Sequence, residues 1–142
     1  MIDAVVARLN AQVPDLNGRV EEALALAEMI REKRLPQHAT ALVIPLAFAG
    51  QAADTGSTIF RQTFQETVAV LLVLPVHDQT GRRALARLRP LLGEVIDALA
   101  GWAPGDELGV FQLRRGGLVS ADGGRMLYQL EFSITDQLRI TP

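Results

Sequence analysis

The sequence predicts an α+β domain: a sheet of about four mainly antiparallel strands, with two to three helices packed on one face. Three observations lead there. Apolar residues recur at helical spacing in 2–12, 22–34 and 79–102. They alternate in 39–48, 59–74 and 126–134, as half-buried strands require. The resulting order is helix, helix, strand, strand, helix, strand, strand, which an antiparallel sheet backed by helices satisfies. At 142 residues, 49% of them hydrophobic and 21% charged, the chain reads as one domain, 1–142, with enough apolar surface to own a core.

The first helix places Ile2, Val5, Val6 and Leu9 on one stripe, and Pro14, Asn17 and Gly18 break the chain after it. The second, 22–34, carries Leu24, Ala27, Met29 and Ile30 on its apolar side. Glu21 and Glu22 open it and Arg31, Lys33 and Arg34 close it, an order that suits the helix dipole, and Pro36 stops it. In the strand 39–48, Leu42, Ile44, Leu46 and Phe48 point one way, and Ala39, Ala41 and Ala47 the other. Pro45 removes a ladder donor, so this strand is an edge or is bulged there. Residues 49–58, AGQAADTGST, form a long loop. In the strand 59–74, Phe60, Phe64, Val68, Val70, Leu72 and Leu74 share one face. From Val68 onward the other face is apolar too, so the second half is covered on both sides.

Asp78 is placed to cap the helix 79–102, whose stripe is Leu85, Leu88, Leu92, Val95, Ile96 and Leu99. Pro90 kinks it or starts its second half. After a turn-rich connector at 101–109, the last third reads as a hairpin. Its returning arm alternates Met126, Tyr128, Leu130, Phe132 and Ile134. Ala121-Asp122-Gly123-Gly124 is the favoured turn; Gly116-Gly117 is a rival turn or a bulge.

Little in the chain carries chemistry. The absence of cysteine removes disulfides, thiolate metal sites and cysteine nucleophiles. A formal net charge of −2 argues against a dedicated nucleic-acid binder. No apolar run approaches the ~20 residues of a membrane span, and Asp3 in an N-terminus without a basic stretch predicts no signal peptide. His38 and His77 lack metal-ligand spacing. His77-Asp78 could be a base with its orienting acid, or a polar strand end beside a helix cap. Ser57, Ser120 and Ser133 lack a nucleophile-elbow context, and the glycine pairs match no phosphate loop. The expectation is a protein with no catalytic, cofactor-binding or metal residues, and not an enzyme.

One charge pattern is informative. Arg82, Arg83, Arg87 and Arg89 lie in the first half of the helix 79–102, and Glu94 and Asp97 in the second, against the helix dipole. Asp78 can pair with Arg82, but Arg83, Arg87 and Arg89 have no acid three or four residues away. Their complements are expected on another subunit or partner. A strand would present Arg114 and Arg115 on opposite faces, so at least one is solvated or meets a partner.

Several segments together resemble the tail terminator proteins of long-tailed bacteriophages, prophages and gene transfer agents. They are MIDAVVARLNAQVPDLNGRVEEALALAEMIREKRLP, FRQTFQETVAVLLVLP, ALAGWAP, GVFQLRRGGLVS and YQLEFSITDQLRI, spanning nearly the whole chain. The tail terminator of phage lambda is a distant relative by architecture. The resemblance implies a homohexameric ring on the head-proximal end of the tail tube. Such a ring stops tube polymerisation, presents a surface to head-completion or neck proteins and leaves a channel through which DNA passes without specific binding. It implies no cofactor and a place in the virion, made in the host cytoplasm. A closed ring needs a heterologous interface. Arg83, Arg87 and Arg89 are expected on one side of it, and Glu66, Glu94, Asp97 and Glu131 are the candidate acids. The loop residues Gly50, Gln51, Asp54, Thr55, Gly56 and Ser57 are candidates for gripping the tube, and Arg114 and Arg115 for a partner contact. Two other readings stand beside this one: a head–tail connector or minor tail protein, and a small enzyme or ligand-binding domain.

Overall fold

The computed structural model describes residues 1–22, 27, 28, 31, 37–54, 56 and 58–141. Two helices, α1 (Ile2–Gln12) and α2 (Arg82–Leu99), lie on one face of a five-stranded sheet. The strands are β1 (Val20–Glu22), β2 (Thr40–Gly50), β3 (Phe60–Pro75), β4 (Gln112–Asp122) and β5 (Arg125–Ile140), in spatial order β1-β2-β3-β5-β4. All neighbours are antiparallel except β1, which runs parallel to β2. The sheet is therefore mixed and has one strand more than expected.

The extra strand also corrects the second expected helix. Glu21 and Glu22 do not open a helix; they belong to β1, opposite Leu42 and Val43. Most of 22–34, including Leu24, Met29, Ile30, Lys33 and Arg34, lies outside the described residues, as does Pro36; Ala27, Glu28 and Arg31 are helical. Three residues of strand carry too short a pattern to be read locally. Side chains from elsewhere hold β1 in place. The Asn10 side-chain oxygen accepts from the N–H groups of Gly18 (2.9 Å) and Val20 (3.2 Å), while Arg19 donates to the Ala39 and Asp15 carbonyls.

The main core lies between helices and sheet. α1 contributes Val5 and Leu9 from its expected stripe, and the sheet contributes Val43, Val68, Val70, Leu72, Leu74, Met126, Leu130, Phe132 and Ile134. In β2 and the residue before it, the helices cover the face of Ala39, Ala41 and Val43. Leu42 and Ile44 turn to a second, smaller cluster with Leu71, Val73 and Leu127, so the second half of β3 is buried on both faces. Pro45 sits at a register shift between Pro45 and Ala47, and β1 covers the outer edge of β2 only as far as Val43.

α2 is shorter than the expected 79–102 and rotated from the expected stripe. It buries Ala84, Leu88, Leu91, Val95, Ala98 and Leu99, and leaves Leu85 53% exposed. Asp78 acts from a turn ahead of the helix. One carboxylate oxygen accepts the Arg82 N–H (3.0 Å) and the Thr80 hydroxyl (3.0 Å), while Gly81 makes the bend at φ +69°. Pro90 lies inside the helix on its exposed side, so the carbonyl it leaves unpaired, that of Ala86, faces water. At the far end Arg8 donates to the Ala98 carbonyl (2.7 Å), one of the orphan acceptors of a helix C-terminus, and lies over the Trp102 ring at 4.8 Å. Trp102 stacks on the fully buried Phe111; the Gly101 N–H donates to the Phe111 carbonyl, and the Phe111 N–H donates to the Trp102 carbonyl across the connector.

The closing hairpin turns at Gly123 (φ +63°) and Gly124 (φ +78°), with Asp122 opposite Arg125. Two successive left-handed residues are what a two-residue hairpin loop demands. Gly116-Gly117 is not a turn. It lies within β4, between register shifts at 113/115 and 118/120. There a Cβ on Gly116 would meet a Leu130 methyl carbon at 2.8 Å.

Candidate functional site

Beyond the core, β2 after Pro45, β3 before Val68 and β5 after Ser133 run on together as a three-stranded extension. Register fixes its two faces. The face continuous with the helix side carries Phe48, Glu66 and Ile134 in one row and Gly50, Phe64 and Asp136 in the next. Gln62 with Leu138 and Phe60 with Ile140 follow. Phe48 is 69% exposed, with its ring 5.8 Å from that of Phe64; Leu138 and Ile140 are also exposed. The opposite face is polar, with Thr63, Gln65, Thr135 and Gln137, and with Arg61 directly across from Arg139.

Glu66 and Asp136 lie on the helix-side face, and Glu107, in the connector, is near enough for its charge to act on Glu66. Burial raises the Glu66 carboxyl above its ordinary range; the Met1 amino group works against this, and the negative charges of Glu107 and Asp136 add to it. Glu107 accepts the Gly105 N–H and Asp136 the Gln137 N–H, whereas Glu66 accepts no hydrogen bond among the described residues. Of the four acids proposed from sequence, only Glu66 belongs to this group. Glu94 and Asp97 line a shallow hollow with Gln12 and Ala98, where one Glu94 oxygen is buried without a partner. Glu131 lies across from Arg115 and pairs with it in the same chain, and the carboxylate holds the guanidinium protonated more firmly.

Arg82, Arg83, Arg87 and Arg89 are all exposed on α2, beside the exposed Leu85. Among the described residues none of them has an ion-pair partner, and Asp78 meets the Arg82 backbone instead of its side chain. Arg114 falls at the β4 bulge, so the expected strict alternation with Arg115 breaks there; Arg114 has no partner among the described residues. β4 itself is an outer strand of eleven residues, exposed on nearly every one, and it shows Leu113, Leu118 and Val119 to solvent. An uncovered edge of this length is a template for association.

The 49–58 loop is tied at its base. Gln51 N–H donates to Thr63 O, Asp54 N–H to Arg61 O, and the Gln62 side chain to Gln51 O (2.7 Å). Gly50 ends β2, and the Gly56 N–H closes onto the Asp54 carboxylate (3.0 Å). Thr55 and Ser57 lie outside the described residues. His38 and His77 are both exposed, and Asp78 serves as a helix cap, so no base–acid pair forms at 77–78.

The described surface thus shows an open strand edge, arginines without ion-pair partners and a sheet extension with exposed apolar side chains. The family described as phage tail terminator protein matches residues 2–142. The chain belongs to the phage tail terminator family. A comparison with curated proteins found no match. Membership makes this a virion component of the tail, with a structural role among tail and head proteins. Among the described residues no helix is long and apolar enough to cross a membrane.

Proposed function

We propose that this tail terminator forms a homohexameric ring on the head-proximal end of the tail tube. The ring ends tube polymerisation, offers its other surface to a head-completion or neck protein, and leaves a central channel for DNA. The observation that carries the reading is the family match over essentially the whole chain. The subunit supports it physically. Unlike surfaces at its two ends, arginines on α2 and acids on the sheet extension, suit the heterologous contacts of a ring. Arg83, Arg87, Arg89 and Glu66 serve the subunit interface, and the 50–57 loop grips the tube. Glu94 and Asp97, beside the end of α1, remain open to a second contact. The charges of Glu131 and Arg115 meet each other, which leaves Arg114 the freer of the two arginines for a partner.

Particles assembled without this protein test the reading. Tails that polymerise beyond their normal length and stay unjoined to heads are the expected result. Tails of normal length that merely lack heads would assign the chain to a connector role instead.

A further inference from the structure

The arginines of α2 and the acids of the extension do not meet within one chain among the described residues. Leu85 and Gly81 line a groove with Leu118, Asp122, Arg125 and Met126, which places the first half of α2 at the hairpin end of the sheet. Met126 pairs with Leu74, and Glu66 lies eight residues further along β3. At about 3.3 Å per residue the two surfaces are roughly 25 Å apart along the strands. Each combines exposed apolar side chains with a predominance of one charge: Leu85 with the arginines on α2, Phe48 and Leu138 with Glu66 and Asp136 on the extension.

We propose that the helix-side face of the sheet extension, Phe48, Phe64 and Leu138 bordered by Glu66, Glu107 and Asp136, is the socket for α2 of a second copy of this chain. Leu85 seats on the phenylalanines, and Arg82, Arg83, Arg87 and Arg89 meet the acids. The inference rests on the ring reading and supplies its contact. Charge complementarity argues for it: four arginines without an ion-pair partner among the described residues face three acids whose mutual repulsion a neighbour's arginines would relieve. Apolar complementarity argues for it as well, because Phe48 and Leu85 are among the most exposed large apolar side chains of the described structure. The contact joins unlike surfaces, so each copy keeps one of each free for the next, the condition for a ring.

The chain has no cysteine, so introduced thiols report unambiguously. Leu85→Cys and Phe48→Cys variants, oxidised alone and mixed, are examined free and on purified tail tubes. The mixture is expected to give a covalent dimer under at least one condition and each variant alone to give almost none. The double variant gives a ladder ending at the subunit number of the ring. A ring seen by sedimentation or microscopy without this cross-link overturns the contact and leaves the ring reading standing. Absence of both rings and cross-links overturns both.

A charge swap checks the same contact without thiols. Arg83→Glu with Arg87→Glu, and separately Glu107→Lys with Asp136→Lys, each weaken association at least tenfold, more so at low salt, with unchanged circular dichroism. Mixing the two restores association, because the reversed surfaces pair alternately around an even-numbered ring. Two folded variants that associate as well as the parent, or a mixture that stays apart, would overturn the contact.

Discussion

At the scale of single residues, the features that matter most are those whose surroundings oppose their chemistry. Glu66 is a carboxylate kept half-buried beside two other acids. Its folded pKa is raised, so the folded state holds its proton more tightly than the unfolded chain does. Its contribution is therefore fully present below the ordinary glutamate range and is lost as pH rises through the elevated value. Glu66→Gln is expected to raise the melting temperature of the dilute monomer at pH 7, with the gain shrinking as pH falls through and below that window. Thermal melts of both proteins across pH check this. Gly116 opposes its surroundings by space. An added Cβ would press on Leu130 and Tyr128, while at Gly117 it would meet nothing within 4 Å. Gly116→Val should cost about 1–3 kcal/mol by overpacking, and Gly117→Ala well under 1, read from denaturant midpoints.

At the scale of elements, α2 divides its labour by face. Leu88, Leu91, Val95 and Leu99 are buried against the sheet, each contributing about 1.5–3 kcal/mol by burial, while the arginines and Leu85 lie on the outside. Leu91→Ala is expected to destabilise the monomer by about 2–5 kcal/mol, and Leu85→Ala to leave monomer stability nearly unchanged while impairing association; chemical denaturation beside sedimentation separates the two effects. The hairpin loop makes the complementary case. Its ends are already joined by the β2–β3 ladder, so deleting 50–57 should keep the cooperative unfolding transition and lose tube capping, measured by tail length in electron micrographs. Loss of the fold would make the loop structural. These elements were legible in unequal degree. The β4–β5 turn was readable because Gly123-Gly124 supplies the two positive φ angles a tight hairpin needs. The outline of α2 was readable because its period persists for five turns. Its facing was not, since Leu85 and Ala84 are both tolerable neighbours of an apolar stripe, and only the position of the sheet selects between them.

At the scale of the whole molecule, burial and charge are distributed to opposite purposes. The core takes the helix-covered half of the sheet, and the other half extends without a cover of its own among the described residues. Such an arrangement leaves an apolar extension, an open β4 edge and the α2 arginines on the surface of the described residues, the features on which the proposed ring contact is built. The family match over 2–142 gives those surfaces their setting in a phage tail.

The sequence by itself determined the helical period of α1 and α2, the alternation of β3 and β5, the two-residue turn and the doubly buried half of β3, because these are local consequences of spacing and residue type; the face of Phe48 it did not, because the register shift after Pro45 turns that side chain away from the side of Leu42 and Ile44. It also carried the family. Only the tertiary structure decided that Glu21 and Glu22 belong to a parallel strand, that Arg8 caps a helix ninety residues away, that Glu131 is held by Arg115, and that Glu66 shares its surface with Glu107 and Asp136. Each of these is a contact between residues distant along the chain. Spacing along a sequence carries no information about which strand will lie beside which, and so none about which charges will meet.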